Sequence, residues 1–175
     1  MIVGYDFCLK FELNDLIDRD ELVERLYESG CDDALIGTGR EGKVGLDFIR
    51  EAESAYAAIS SAIADVKRVV PTATLIEAAP DLVSLTDVAE ILGCSRQNAR
   101  NLIVDSKSIA PLPVYDGTPS LWHLAEVLSW LKEKKNYAID EATLEVAKIT
   151  MGLNLARSWQ KVDASISDRV KALVA

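Results

Sequence analysis

"SLTDVAEILGCSRQNARNLI", residues Ser84 to Ile103, decides how the rest of this 175-residue chain is read. Ser84 and Asp87 have the spacing of a capping box, so a helix opens after Ser84 with Val88, Ile91 and Leu92 as its buried positions. Ala89 is small enough to let a second helix cross close above the first. Gly93 supplies the tight turn between them, where a side chain would be strained. Ser95 then caps the second helix, whose inward positions are Ala99, Leu102 and Ile103. Its outward positions are Arg96, Gln97, Arg100 and Asn101. Arg, Gln and Asn carry the paired donors and acceptors that match guanine and adenine edges in a major groove.

Val88-Ala89, Leu92-Gly93, Ser95-Arg96 and Leu102 stand where helix-turn-helix proteins of the MerR and excisionase type have them, and the stretch resembles that family. The likeness continues through "PLPVYDGTPSLWHLAEVLSWL", residues 111 to 131. This is similar to the wing and following helix of excisionase-like winged domains: a hairpin led by Pro113 turns at Gly117, reaches Trp122, and leads into a helix closing on Trp130-Leu131. Together the two halves span about residues 83 to 133. The resemblance implies double-stranded DNA as partner, with a recognition helix from Ser95 to Ile103 in the major groove and the hairpin tip near the backbone or minor groove. The implied contacts are Ser95, Arg96, Gln97, Asn98, Arg100 and Asn101 from the helix, and Tyr115, Thr118 and Ser120 from the tip. One departure matters. Family wings commonly carry Arg or Lys, whereas this tip offers Asp116, Thr118 and Ser120. Each neutralised phosphate contributes about 0.9 to the salt slope, so a wing without cations implies weak binding by one copy and favours a homodimer on DNA.

Working outward, Tyr5, Phe7, Leu9, Phe11 and Leu13 alternate with polar residues and predict a half-buried strand. Asp18 to Ser29 is expected as a helix ended by Gly30, followed by a short strand at Ala34 to Ile36. Val44, Leu46 and Phe48 predict the hairpin partner of that strand. Glu51 to Val69 is expected as a second helix with the stripe Ala55, Ile59, Ile63 and Val66, and Thr72 to Ala78 as a last strand after Pro71. The order βαββαβ resembles the ferredoxin-like fold. "GTGREG", with Gly37, Gly39 and Gly42, matches a dinucleotide fingerprint, but a strand follows where that site needs a helix N-terminus, so a hairpin tip is expected.

Ala79, Pro80 and Asp81 read as a short hinge. The expected organisation is an α+β chain with a ferredoxin-like domain at 1–80, a winged helix-turn-helix domain at 81–136 and a helical extension at 137–175. In the extension, Leu144, Ala147, Met151, Leu155 and Trp159 form one stripe over Asp140 to Val162, and Ser165 to Val174 adds a short helix. Two burial modes for the stripe stay open: packing across the chain's own two domains, or pairing with a second copy.

The formal net charge is −9, and it is unevenly shared: residues 1–80 carry 8 basic against 16 acidic side chains, 81–135 carry 6 against 7, and 136–175 carry 5 against 5. An acidic surface repels phosphate, so any nucleic-acid face belongs to the later, near-neutral part. A hydrophobic content of 49% is ample for a buried core. No apolar run reaches the roughly 18 residues of a membrane span, and the first twenty residues have no secretory pattern, so a cytoplasmic protein without membrane contact is expected. Cys8, Cys31 and Cys94 are odd in number and widely spaced, which predicts reduced, mostly buried thiols. His123 has no nucleophile or carboxylate beside it in the sequence and reads as a surface or capping residue. Neither a cofactor nor catalytic chemistry is suggested. The leading expectation is a DNA-binding transcriptional regulator whose N-terminal domain serves dimerisation, a protein partner or a small ligand. The alternative is an antitoxin-like or defence-system adaptor whose winged helix binds protein.

Overall fold

The computed structural model describes residues 2–14, 17–105 and 110–174, and its architecture is mixed α and β. The first unit runs β1 (Val3–Glu12), α1 (Arg19–Glu28), β2 (Ala34–Gly37), β3 (Lys43–Ala52), α2 (Ala55–Val69) and β4 (Thr74–Ala79). Its four strands form one antiparallel sheet in the order β2-β3-β1-β4. The period-two pattern explains the sheet: Tyr5, Phe7, Leu9 and Phe11 of β1 and Val44, Leu46 and Phe48 of β3 point to one buried face. Phe7 and Phe48 sit opposite one another in the ladder, and their rings stack at 5.1 Å.

The next inward position on β3 is a charge. Arg50 is 7% exposed and is held by Asp33 at 2.8 and 2.9 Å, Asp65 at 2.8 Å, Ser61 Oγ at 3.0 Å and the Gly30 carbonyl. Its guanidinium also lies 4.9 Å from the centre of the Phe48 ring. Burial works against the charge, but the hydrogen bonds that Arg50 donates to both aspartates outweigh it and hold the pKa above the ordinary arginine value. This network ties β3 to α2 and to the turn after α1.

Two boundaries differ from the sequence expectation. The second helix begins at Ala55, capped by Ser54, because Glu51 and Ala52 are still paired with Gly4 and Val3 in the β1–β3 ladder. The last strand begins at Thr74, after a turn at Pro71 and Thr72. Gly37 ends β2, paired with Gly45, while Gly39 and Gly42 lie between β2 and β3, and a strand follows them.

A second hydrophobic core is built from β5 (Leu82–Val83), α3 (Leu85–Ile91), α4 (Arg96–Ile103), β6 (Trp122–His123) and α5 (Leu124–Lys135). β5 pairs antiparallel with β6, and Val88, Ala99, Ile103, Trp122, Leu128 and Leu131 fill the interior. Ile91, expected inside, is 39% exposed. It lies at the end of α3, turned toward a cleft that the C-terminal helix helps to line.

That helix, α6 (Glu141–Trp159), packs on both cores. Val146 belongs to the first, with Ala142, Ile149 and Leu153 beside it; Leu144, Ala147 and Met151 belong to the second. The front half of the expected stripe is thus buried within the chain. Its rear half is not, because Leu155 and Trp159 remain 47% and 40% exposed where α6 runs past the second core. A last helix, α7 (Ala164–Val174), follows.

The expected hinge is instead a pinned junction. Thr150 Oγ1 donates to the Pro80 carbonyl at 2.5 Å. The Asn154 amide nitrogen donates to Ala78 O at 2.7 Å and to Asp81 Oδ2 at 2.8 Å, and its amide oxygen accepts from Ala78 N at 3.0 Å. Asp81 is 4% exposed. Among the described residues, no helix is long and apolar enough to cross a membrane.

The three cysteines are free thiols; Cys31 is buried, whereas Cys8 and Cys94 are half-buried, so the expectation of mostly buried thiols holds for one of them. Burial, then the hydrogen bond with Asp47, pushes the Cys8 thiol up to about 12; burial, then the charge of Asp65, pushes Cys31 up to about 11. Both folded values lie above that of an unfolded thiol, roughly 8.5. The resulting stabilisation is full below that pH and is lost as pH rises through the folded values. We expect native alkylation of Cys8 and Cys31 by iodoacetamide at pH about 8 to run at least ~10-fold slower than that of a free thiol, since the thiolate reacts. Site-resolved mass spectrometry checks this, and labelling at the rate of a small thiol would contradict it.

Candidate functional site

The short helices α3 and α4 are set by their caps. Ser84 N–H donates to Asp87 Oδ2 at 2.7 Å and Ser84 Oγ accepts from Asp87 N at 3.4 Å, so the expected capping box is present. Gly93, at φ 62°, adopts the left-handed turn that a side chain resists. Ser95 Oγ accepts from Asn98 N at 3.2 Å and opens α4. That hydroxyl is occupied as a cap. Ala99 and Ile103 are buried, which anchors the inner side of α4 and fixes the direction of its outer side.

Arg96, Gln97, Asn98, Arg100 and Asn101 are all exposed. The i,i+4 spacing puts Arg96 and Arg100 on one face and Gln97 and Asn101 on its neighbour. Gln97 Nε2 donates to Asn101 Oδ1 at 2.9 Å, which orients both amides. Arg100 Nε lies 3.6 Å from Asp105 Oδ2, both half-exposed, a contact that solvent screens to little value. Arg96 has no hydrogen bond or ion pair among the described residues.

The hairpin is shorter than the sequence suggests. It closes through one bridge, Tyr115 with Leu121, in which Val114 N and Tyr115 N donate to Leu121 O and Leu121 N donates to Tyr115 O. The Tyr115 ring lies over Gly117, where a Cβ would come within 2.1 Å of it and displace this exposed ring. Ser120 Oγ lies within hydrogen-bond reach of the Gly117 carbonyl at 3.1 Å and Asp116 Oδ1 at 3.3 Å, so this hydroxyl is turned into the tip. Thr118 and Tyr115 face outward. Between the hairpin and α4 lies a concavity of about 610 Å³, with Arg96 and Arg100 on one side and Leu112, Gly117 and Pro119 on the other. Of the expected residues, Arg96, Arg100, Thr118 and Ser120 line this concavity, and the hydroxyls of Ser95 and Ser120 are committed to internal bonds.

The sequence reading of His123 is corrected. It is 8% exposed, and its Nδ1 lies 2.6 Å from Asp81 Oδ1. It stands at the N-cap position of α5 but makes no side-chain cap bond. Its carboxylate partner is 42 positions away and Asn154, the third member, is on α6, so no local motif announces the cluster. As a surface, α4 and the hairpin present two guanidinium groups and a row of amides, which suits oxyanions and hydrogen-bonding edges. No family model, curated protein or solved structure matches this chain.

Proposed function

We propose that the chain is a sequence-specific DNA-binding transcriptional regulator, in which a MerR/excisionase-like winged helix-turn-helix at 81–136 follows a ferredoxin-like domain at 1–80 and precedes a helical extension at 137–175. The observation that carries this reading is the pair Arg96 and Arg100, exposed on one face of a capped helix whose other face is buried. In it, α4 reads the major groove while Thr118 and Tyr115 approach the backbone or minor groove. The acidity of residues 1–80 keeps that domain away from phosphate, where it serves dimerisation, a protein partner or ligand sensing. With only two guanidinium groups per copy, two copies share one site.

Retardation of the DNA flanking the protein's own gene tests it. We expect binding that weakens with salt and falls at least ~30-fold in Arg96→Ala/Arg100→Ala, since a good bidentate contact contributes about 1–3 kcal/mol. For each of the two arginines that contacts a phosphate in place of a base, the salt slope should drop by about 0.9 per copy. Equal retardation by the double variant, with circular dichroism showing it folded, would overturn the reading. The adaptor reading draws on Leu112, Val114 and Tyr115, which give the hairpin an exposed apolar side suited to a protein surface. It predicts indifference to DNA and to both arginines.

A further inference from the structure

Four exposed aliphatic side chains converge on a second cleft. Leu82, Ile91, Val114 and Leu155 line a cavity of about 790 Å³ bounded by β4, the end of α3, the hairpin and the last turns of α6. Cavities of this size hold small organic ligands, and here the aliphatic side chains share the lining with polar and charged ones. The charges in its lining are nearly all committed. Glu77 pairs with Lys10 at 3.0 Å, Asp81 with His123 and Asn154, and Asp87 with the Ser84 amide.

Glu90 and Arg157, the latter on α6, are the exceptions, and Arg157 is the cation of the two. It lines the same cleft, its Nε is shielded from solvent without a hydrogen-bond partner, and it makes no ion pair among the described residues. Because Nε is closed off by the chain itself, an occupant of the cleft meets the terminal guanidinium nitrogens, which make no hydrogen bond among the described residues. Glu90 is the lining carboxylate left without a partner among the described residues, and it disfavours a second negative charge on any occupant. His123 adds a ring nitrogen, Nε2, since Nδ1 is taken by Asp81.

We propose that this cleft binds a small amphipathic monocarboxylate, its oxyanion on the Arg157 guanidinium and its hydrocarbon body against Leu82, Ile91, Val114 and Leu155. A carboxylate meets the planar fork of arginine through two parallel bonds, which a neutral or cationic head group cannot form. The inference stands whether or not α4 reads DNA.

Titrating the full chain with octanoate, octylamine and octanol, followed by ¹H–¹⁵N correlation spectra that include the Arg157 Nε–H, tests it. Octanoate should shift the Arg157 Nε–H and the Ile91 and Leu155 amides along one saturable curve, and the other two probes should fail to saturate. Arg157→Gln should weaken octanoate at least ~10-fold. Leu155→Gln, at an exposed position, should weaken it with the fold intact. Failure of octanoate to saturate, equal response to octylamine or octanol, or unaltered octanoate binding by folded Arg157→Gln would each overturn the proposal. The three-probe comparison needs no variant, so it decides the matter even if Arg157→Gln does not fold.

Discussion

Arg50→Ala is expected to cost about 3–5 kcal/mol of unfolding free energy, the largest effect of any single substitution in the first unit. Truncation leaves Asp33 and Asp65 facing one another without the cation that both contact at 2.8 Å, and removes the donor to the Gly30 carbonyl. The cost is that of stranding partners, because an intact buried ion pair is itself worth little against its desolvation. The combined change Arg50→Met/Asp33→Asn/Asp65→Asn should therefore recover much of the loss. Urea denaturation followed by far-ultraviolet circular dichroism measures both. A loss below about 1 kcal/mol for Arg50→Ala would mean that the network is not holding α2 and β3 together.

Asp81→Ala is expected to cost about 3 kcal/mol and to open the junction between the two cores. Its carboxylate meets His123 Nδ1 at 2.6 Å and Asn154 Nδ2 at 2.8 Å, so truncation strands two donors in a site that is 4% exposed. Asp81→Asn keeps one acceptor and should cost less. The sharper readout is limited proteolysis: cleavage near residues 79–81 should be slow in the native chain and accelerated in Asp81→Ala. Equal protection with unchanged stability would show that α6 alone fastens the junction, through Thr150 and its apolar contacts with both cores.

In the sequence Arg50 carries no signal of its role and Asp81 reads only as part of a hinge, while most of the proposed interface was legible. The Ser84–Asp87 box, the left-handed Gly93 and the Ser95 cap are each encoded within four positions, and the same spacing puts Arg96 and Arg100 on one face. The alternation from Tyr5 to Phe11 and from Val44 to Phe48 likewise carries its own burial pattern, because strand geometry turns every second side chain inward. What failed was of another kind. Ile91 follows the helical period of α3 yet lies half out, since the neighbour at its end of the helix is a cleft.

The sequence by itself determined most of the local grammar of this protein: which of the longer segments are helices and strands, and which side of each is apolar. Caps, turns and periodicity act over a few residues, so their energetics are complete within the segment. Only the tertiary structure decided that α6 divides its apolar side between two cores, that Pro80 lies in a pinned junction, and that His123 has an acid beside it. The junction depends on residues 42 to 76 positions apart meeting in space, and a hydrogen bond or an ion pair leaves no periodic trace in either segment that supplies it.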